Sequence, residues 1–99
     1  MEDKTPLNEE EVAQALRTLP GWRVEGKELC KDYRFENFQQ INRFLPRLAA
    51  TIVEQNHHPD FVFAPGEKRL SIRTTTHSTG GLTQADLDLA RALEREARS

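Results

Sequence analysis

Residues 61–76 place the tightest constraint on how this chain can fold. Phe61-Val62-Phe63-Ala64 reads as a short strand and Pro65-Gly66-Glu67-Lys68 as a turn. Leu70, Ile72, Thr74 and Thr76 then alternate with Arg69, Ser71, Arg73 and Thr75, which predicts a longer strand with one buried face. In an antiparallel hairpin the sum of paired positions is constant. Pairing Ala64 with Arg69 therefore sets Phe61 opposite Ile72 and projects His57 to about Thr76. His77 arrives beside Asn56-His57-His58-Pro59. The chain has three histidines, so one register brings all of them to a single junction.

The remaining segments supply a frame for that junction. Asn8, with Glu11 three residues on, forms a capping box, and Leu7 and Val12 are placed as a hydrophobic staple. Val12, Ala15, Leu16 and Leu19 share one face of the helix that follows, and Pro20-Gly21 stops it. Trp22 and Val24, a turn at Glu25-Gly26-Lys27, and then Leu29, Tyr33 and Phe35 make a first hairpin, with Lys31 breaking its apolar face once. A second helix runs from near Asn37 to about Asn56. Phe38, Ile41, Leu45, Leu48 and Ile52 form its stripe, and Pro46 is expected to bend or split it. Thr83, with Asp86 three positions later and a Leu82–Leu87 staple, opens a third helix. Its inner face is Leu89, Ala90, Leu93 and Ala97, and its solvated side carries Arg91, Glu94, Arg95, Glu96 and Arg98.

The order α-β-β-α-β-β-α implies an α+β fold: a four-stranded antiparallel sheet with three helices on one face. Its 99 residues suit a single domain spanning 1–99, with residues 1–6 expected as a loose arm. A formal charge of −2 argues against a nucleic-acid surface, and no apolar run approaches the length that spans a bilayer. One cysteine, Cys30, permits no internal disulfide and suits a reducing compartment, most simply the cytoplasm. Exposed sheet edges in so small a domain suggest a homo-oligomer, a dimer or tetramer.

Histidine titrates near neutrality, so a pocket holding two or three imidazoles suits general acid and base steps on one small molecule. Pro59 biases His58 to an extended backbone, and Gly80-Gly81 leaves room beside His77 for a flat ligand. The plainer reading is that such histidines cap carbonyls at a helix end. Zinc is a rival, but adjacent histidines rarely point the same way and no H-x3-H pair is present.

Asn56-His57-His58-Pro59-Asp60-Phe61, Thr75-Thr76-His77 and Gly81-Leu82-Thr83 with Asp86-Leu87 and Leu89-Ala90 resemble the pterin-4a-carbinolamine dehydratases. The likeness extends to Gly21-Trp22 and to Phe35 through Phe38, covering nearly the whole chain. It implies removal of water from a 4a-hydroxytetrahydropterin to give the quinonoid dihydropterin, without metal or organic cofactor, in the service of an aromatic amino-acid hydroxylase. His57, His58 and His77 match the catalytic histidines. Glu54, Pro59, Phe61, Thr76 and Asp86 match or stand near supporting positions, with Asp86 placed to orient His77. Three features depart from the family pattern. Val53 stands four places before His57, where an acidic or polar residue is usual, and Glu54 stands three before; helical positions three and four apart share a face, so Glu54 could substitute. Phe61 replaces a tryptophan, and the hairpin around Pro65-Gly66 is about two residues longer. The alternative is therefore a non-catalytic pterin-binding or protein-interaction member of that family.

Overall fold

A computed structural model of the chain describes residues 4–98. In chain order the elements are helix α1 (Glu9–Leu16), strands β1 (Arg23–Glu25) and β2 (Glu28–Arg34), helix α2 (Phe38–Gln55), strand β3 (Asp60–Ala64), strand β4 (Arg69–Thr74) and helix α3 (Gln84–Ala97). The sheet is antiparallel, in the order β1-β2-β4-β3, so the two hairpins join through their longer strands. The second hairpin adopts the predicted register: Ala64 pairs with Arg69 and Phe61 with Ile72. A short 3-10 turn, Pro65–Glu67, makes the connection, and Lys68 closes it in a left-handed conformation.

One face of the sheet meets all three helices. Leu29 and Tyr33 of β2 and Leu70 and Ile72 of β4 pack with Ala15 of α1, Phe44, Leu48 and Ile52 of α2, and Leu87, Leu89, Ala90 and Leu93 of α3. Each leucine buried there contributes on the order of 1.5–3 kcal/mol. Phe44 was not part of the expected stripe. It is buried against the rings of Tyr33 and Phe35, at centroid distances of 5.1 and 5.7 Å, while Phe38 is left 52% exposed. The opposite face is charged. There Arg73 pairs with Glu25 and Glu28 over the buried Cys30, whose thiol is pushed up by burial and so is not poised as a nucleophile.

Local signals place the helix starts. Glu11 N–H donates to Asn8 Oδ1 at 2.8 Å and Asn8 N–H to Glu11 Oε1 at 3.0 Å, a complete capping box. Asn37 caps α2 by accepting from Gln40 N–H. The ends are less faithful to the sequence reading. α1 closes at Leu16 rather than at Pro20, and Thr18 and Leu19 donate to Ala15 and Leu16 in tight i→i+3 bonds. Leu19 nonetheless reaches the core. Pro46 does not split α2, which is continuous from Phe38 to Gln55 with Pro46 on its exposed side. The loose arm needs correction as well. Thr5 carbonyl accepts from Gln84 N–H, Leu7 N–H donates to Leu82, and Pro6 bridges to Thr83. The arm's residues 1–3 lie outside the described residues.

The larger correction concerns Glu94, expected on the solvated side of α3. It is 6% exposed. Its carboxylate accepts from Lys31 Nζ at 2.7 Å, from Trp22 Nε1 at 3.1 Å and from the Tyr33 hydroxyl. Burial alone would push the Glu94 carboxyl up, but the bonds from Lys31, Tyr33 and Trp22 outweigh it and hold the group below the usual carboxylate range. The same burial, reinforced by Glu94, raises the Tyr33 phenol well above its ordinary value. The signal was present in the sequence. A lysine on the apolar face of β2 needs a counter-charge, and α3 supplies it.

Candidate active site

The helix–strand junction at residues 56–60 is built by one backbone reversal. Asn56 takes a left-handed conformation (φ 52°, ψ 39°) and its N–H bonds Val53 carbonyl, which ends α2. Asparagine tolerates this region better than most side chains. Past the reversal His57 turns inward, 6% exposed, whereas His58 lies in solvent. The reversal also removes the helical relation expected between Glu54 and His57, because His57 no longer continues the helix. Glu54 is exposed, and Val53 is 75% exposed.

His57 Nε2 lies 2.7 Å from Oδ1 of Asp86, the third residue of α3. The expectation that Asp86 orients His77 is thus corrected: the carboxylate engages His57. Asp86 is wholly buried. Its Oδ1 also accepts from Thr74 Oγ1 at 2.6 Å, and its Oδ2 accepts from Thr76 Oγ1 at 2.8 Å and from Thr83 N–H at 3.0 Å. The last of these is the capping-box bond, so one side chain both caps α3 and holds a histidine.

This carboxylate realises the projected hairpin geometry. Strand pairing between β3 and β4 stops at Asp60 and Arg73, yet His57 and Thr76 still meet, on the two oxygens of Asp86. β4 itself ends at Thr74, two residues short of the reading. Thr76 instead bridges to Gly81, its N–H donating to Gly81 carbonyl at 3.0 Å. The turn between them carries His77, exposed, and closes on Gly80, whose φ of 70° suits glycine. Pro59 is half-buried, and Phe61, on the edge strand β3, is 48% exposed. The junction therefore presents one buried histidine on an anionic support and two exposed histidines, each adjoining a residue of that network. Among the described residues, no three His, Cys, Asp or Glu side chains are grouped as a metal-binding set.

A family model described as pterin 4 alpha carbinolamine dehydratase matches residues 5–96. The chain belongs to the pterin-4a-carbinolamine dehydratase family. Among its relatives in that family, a Paracoccus denitrificans protein provisionally named pterin-4-alpha-carbinolamine dehydratase is 43% identical, over 89% of this chain and 82% of its own. One of the same provisional name from Thermomicrobium roseum is 37% identical, over 88% of this chain and 91% of its own. The crystal structure of a transcriptional coactivator/pterin dehydratase from Brucella melitensis superimposes with a TM-score of 0.83 at 30% identity, covering 94% of this chain and 99% of that one. A pterin dehydratase-like protein identified as a RuBisCO assembly factor in the alpha-carboxysome shares the fold, with a TM-score of 0.63 at 24% identity over 79% of this chain and 88% of its own. The α+β architecture is thus that of the dehydratase family. His57, His58, His77 and Asp86 all fall within the matched residues.

Proposed function

We propose that the protein removes water from a 4a-hydroxytetrahydropterin to give the quinonoid dihydropterin, with His57, His58 and His77 acting on one bound pterin. The observation that carries this reading is the buried His57–Asp86 pair, set beside exposed His58 and His77 in a chain of this family. In the reaction the C4a–O bond breaks and the N5 proton leaves. The N5–C4a double bond forms, and the departing hydroxide takes a proton to become water. His57, held at Nε2 by the Asp86 carboxylate, serves as the base that takes the N5 proton. His77 delivers a proton to the hydroxide, and His58 binds the pterin or shares that acid role; both exchange readily with solvent. Thr76 supports the site through Asp86, and Pro59, Phe61 and Glu54 are assigned supporting roles in it.

The reaction needs no cofactor and would serve tetrahydropterin recycling beside an aromatic amino-acid hydroxylase, in the cytoplasm, where Cys30 stays reduced. No helix among the described residues is long and apolar enough to cross a membrane. We read the assembly as a homo-oligomer built through the sheet edge.

A dehydration assay on chemically generated carbinolamine tests the reading. Acceleration should fall on the order of 10²- to 10⁴-fold in His57→Ala and in His77→Ala. An unaccelerated spontaneous rate with wild-type protein would overturn it. The exposed Val53 favours a second reading, a family member that binds pterin without turnover. Saturable pterin binding in calorimetry, with no acceleration, would select that one.

A further inference from the structure

Toward the other end of α2 from the histidine junction, a cavity of about 270 Å³ opens between the end of β2, the first half of α2 and the last turn of α3. At about 1.5 Å per residue, Arg43 stands about 18 Å along the helix axis from Gln55. The cavity is therefore separate from the candidate active site. Phe35 and Phe44, in ring contact at 5.7 Å, give it an apolar wall. Around that wall stand Arg34, Gln40, Arg43 and Arg47, and Glu96 is the one carboxylate among the lining side chains. Three guanidinium groups thus meet one carboxylate, in a chain whose formal charge is −2.

These side chains offer donors in excess of acceptors. Gln40 Oε1 accepts from Glu36 N–H at 2.8 Å, so the donors of its amide group are what remain to it. Arg47 Nη1 reaches the Glu96 carbonyl at 3.5 Å, the ordinary duty of a basic side chain at a helix end. That duty does not account for Arg43. Arg43 and Arg47 are four apart on α2, where like charges repel, and no acidic residue of the helix lies within four positions of either. The side chains of Arg34 and Arg43 make no hydrogen bond or ion pair with the described residues, and Asp32 and Glu67 act on Arg34 through charge alone. A surplus of positive charge on convergent donors calls for an anionic acceptor.

We propose that this cavity binds a phosphoryl group, held by Arg34, Arg43 and the Gln40 amide, with Arg47 adding positive charge. A carboxylate presents two oxygens, which one guanidinium fork satisfies, whereas a phosphoryl group presents three strong acceptors and so suits donors from several side chains. The cavity is smaller than the roughly 300–1,000 Å³ of sites for drug-sized ligands, which fits the free ion or a small ester. Calorimetric titration of the full chain with inorganic phosphate, at neutral pH and at ionic strength held constant with chloride, tests the proposal. Phosphate should bind saturably at one site per chain. Arg34→Ala and Arg43→Ala should each weaken it about 10- to 100-fold. Gln40→Glu keeps the oxygen that accepts from Glu36 but replaces the donors with negative charge, and should abolish binding. Arg17→Ala removes the same charge from an exposed position outside the cavity and should change nothing. Absence of saturable binding overturns the proposal, as does binding that survives Arg43→Ala and Gln40→Glu, or that falls as far in Arg17→Ala. Phenyl phosphate titrated in parallel identifies the source. Tighter binding than the free ion supports a phosphorylated small molecule packed on Phe35, and equal binding supports the free ion. Neither titration involves a pterin, so failure here leaves the dehydratase reading standing.

Discussion

His57 Nε2 and Asp86 Oδ1 lie 2.7 Å apart, with 6% and 0% of their side chains exposed, and join the entry of β3 to the first turn of α3. The pair tethers the histidine segment to that helix, and in the proposed reaction it also supports the base. Asp86→Asn keeps the size but loses the charge, and its amide N–H must face donors. We expect kcat to fall on the order of 10²-fold and stability to fall by about 1–3 kcal/mol, measured by dehydration kinetics and urea unfolding of the same preparation.

Glu94 gives the acid limb of the stability curve. Its carboxyl is held below the ordinary 4.5 by the donors around it, despite burial. Its contribution is therefore complete above 4.5 and is lost as pH falls through the depressed value. Glu94→Gln leaves Lys31 nearly buried without a counter-charge. It should cost about 3 kcal/mol at neutral pH and flatten the acid limb below 4.5. Urea midpoints across the pH range, with and without the substitution, check both.

Pro46 sits inside an unbroken α2, on its exposed side. It cannot donate to Asn42, and a proline in a helix interior costs about 3 kcal/mol relative to alanine. It also restricts the unfolded chain, which recovers up to about 1 kcal/mol. Pro46→Ala should therefore stabilise the protein by roughly 2 kcal/mol, with dehydration kinetics unaltered. A matched pair of denaturant curves measures it.

Strand β3 is an edge of the sheet, and Phe61 and Val62 stand 48% and 62% exposed on it. An unpaired apolar edge of five residues invites a second copy. Light scattering on a sizing column should find an oligomer for the wild type and a smaller species for Val62→Lys, because a charge on the edge strand opposes edge-to-edge pairing.

Much of this frame was legible along the chain. Asn8 with Glu11, Asn37, and Thr83 with Asp86 announced three helix starts, and each is found within one residue of its cap. The hairpin arithmetic from Ala64 and Arg69 gave the observed register. It also brought His57 to Thr76, although the strands stop pairing before reaching them. The stopping points were harder. Leu19 and Thr76 carry the right periodicity, but the backbone leaves helix and strand before them. Burial by the rest of the fold, and not continuation of the element, is what holds those side chains.

Capping, alternation and register depend on residues a few positions apart or across one short turn. The amino-acid order therefore carried the α+β layout and the approach of His57 to Thr76. Which partner each buried charge takes depends on how separate elements pack. Glu94 is drawn inward by Lys31 on a strand 63 residues earlier. Asp86 could serve His57 or His77 by spacing alone, and the left-handed turn at Asn56 swings His57 beneath the surface to claim it, while His77 stays in solvent. Desolvation makes these choices binding, since a carboxylate removed from water must satisfy each lone pair from whatever donors the packed elements bring to it.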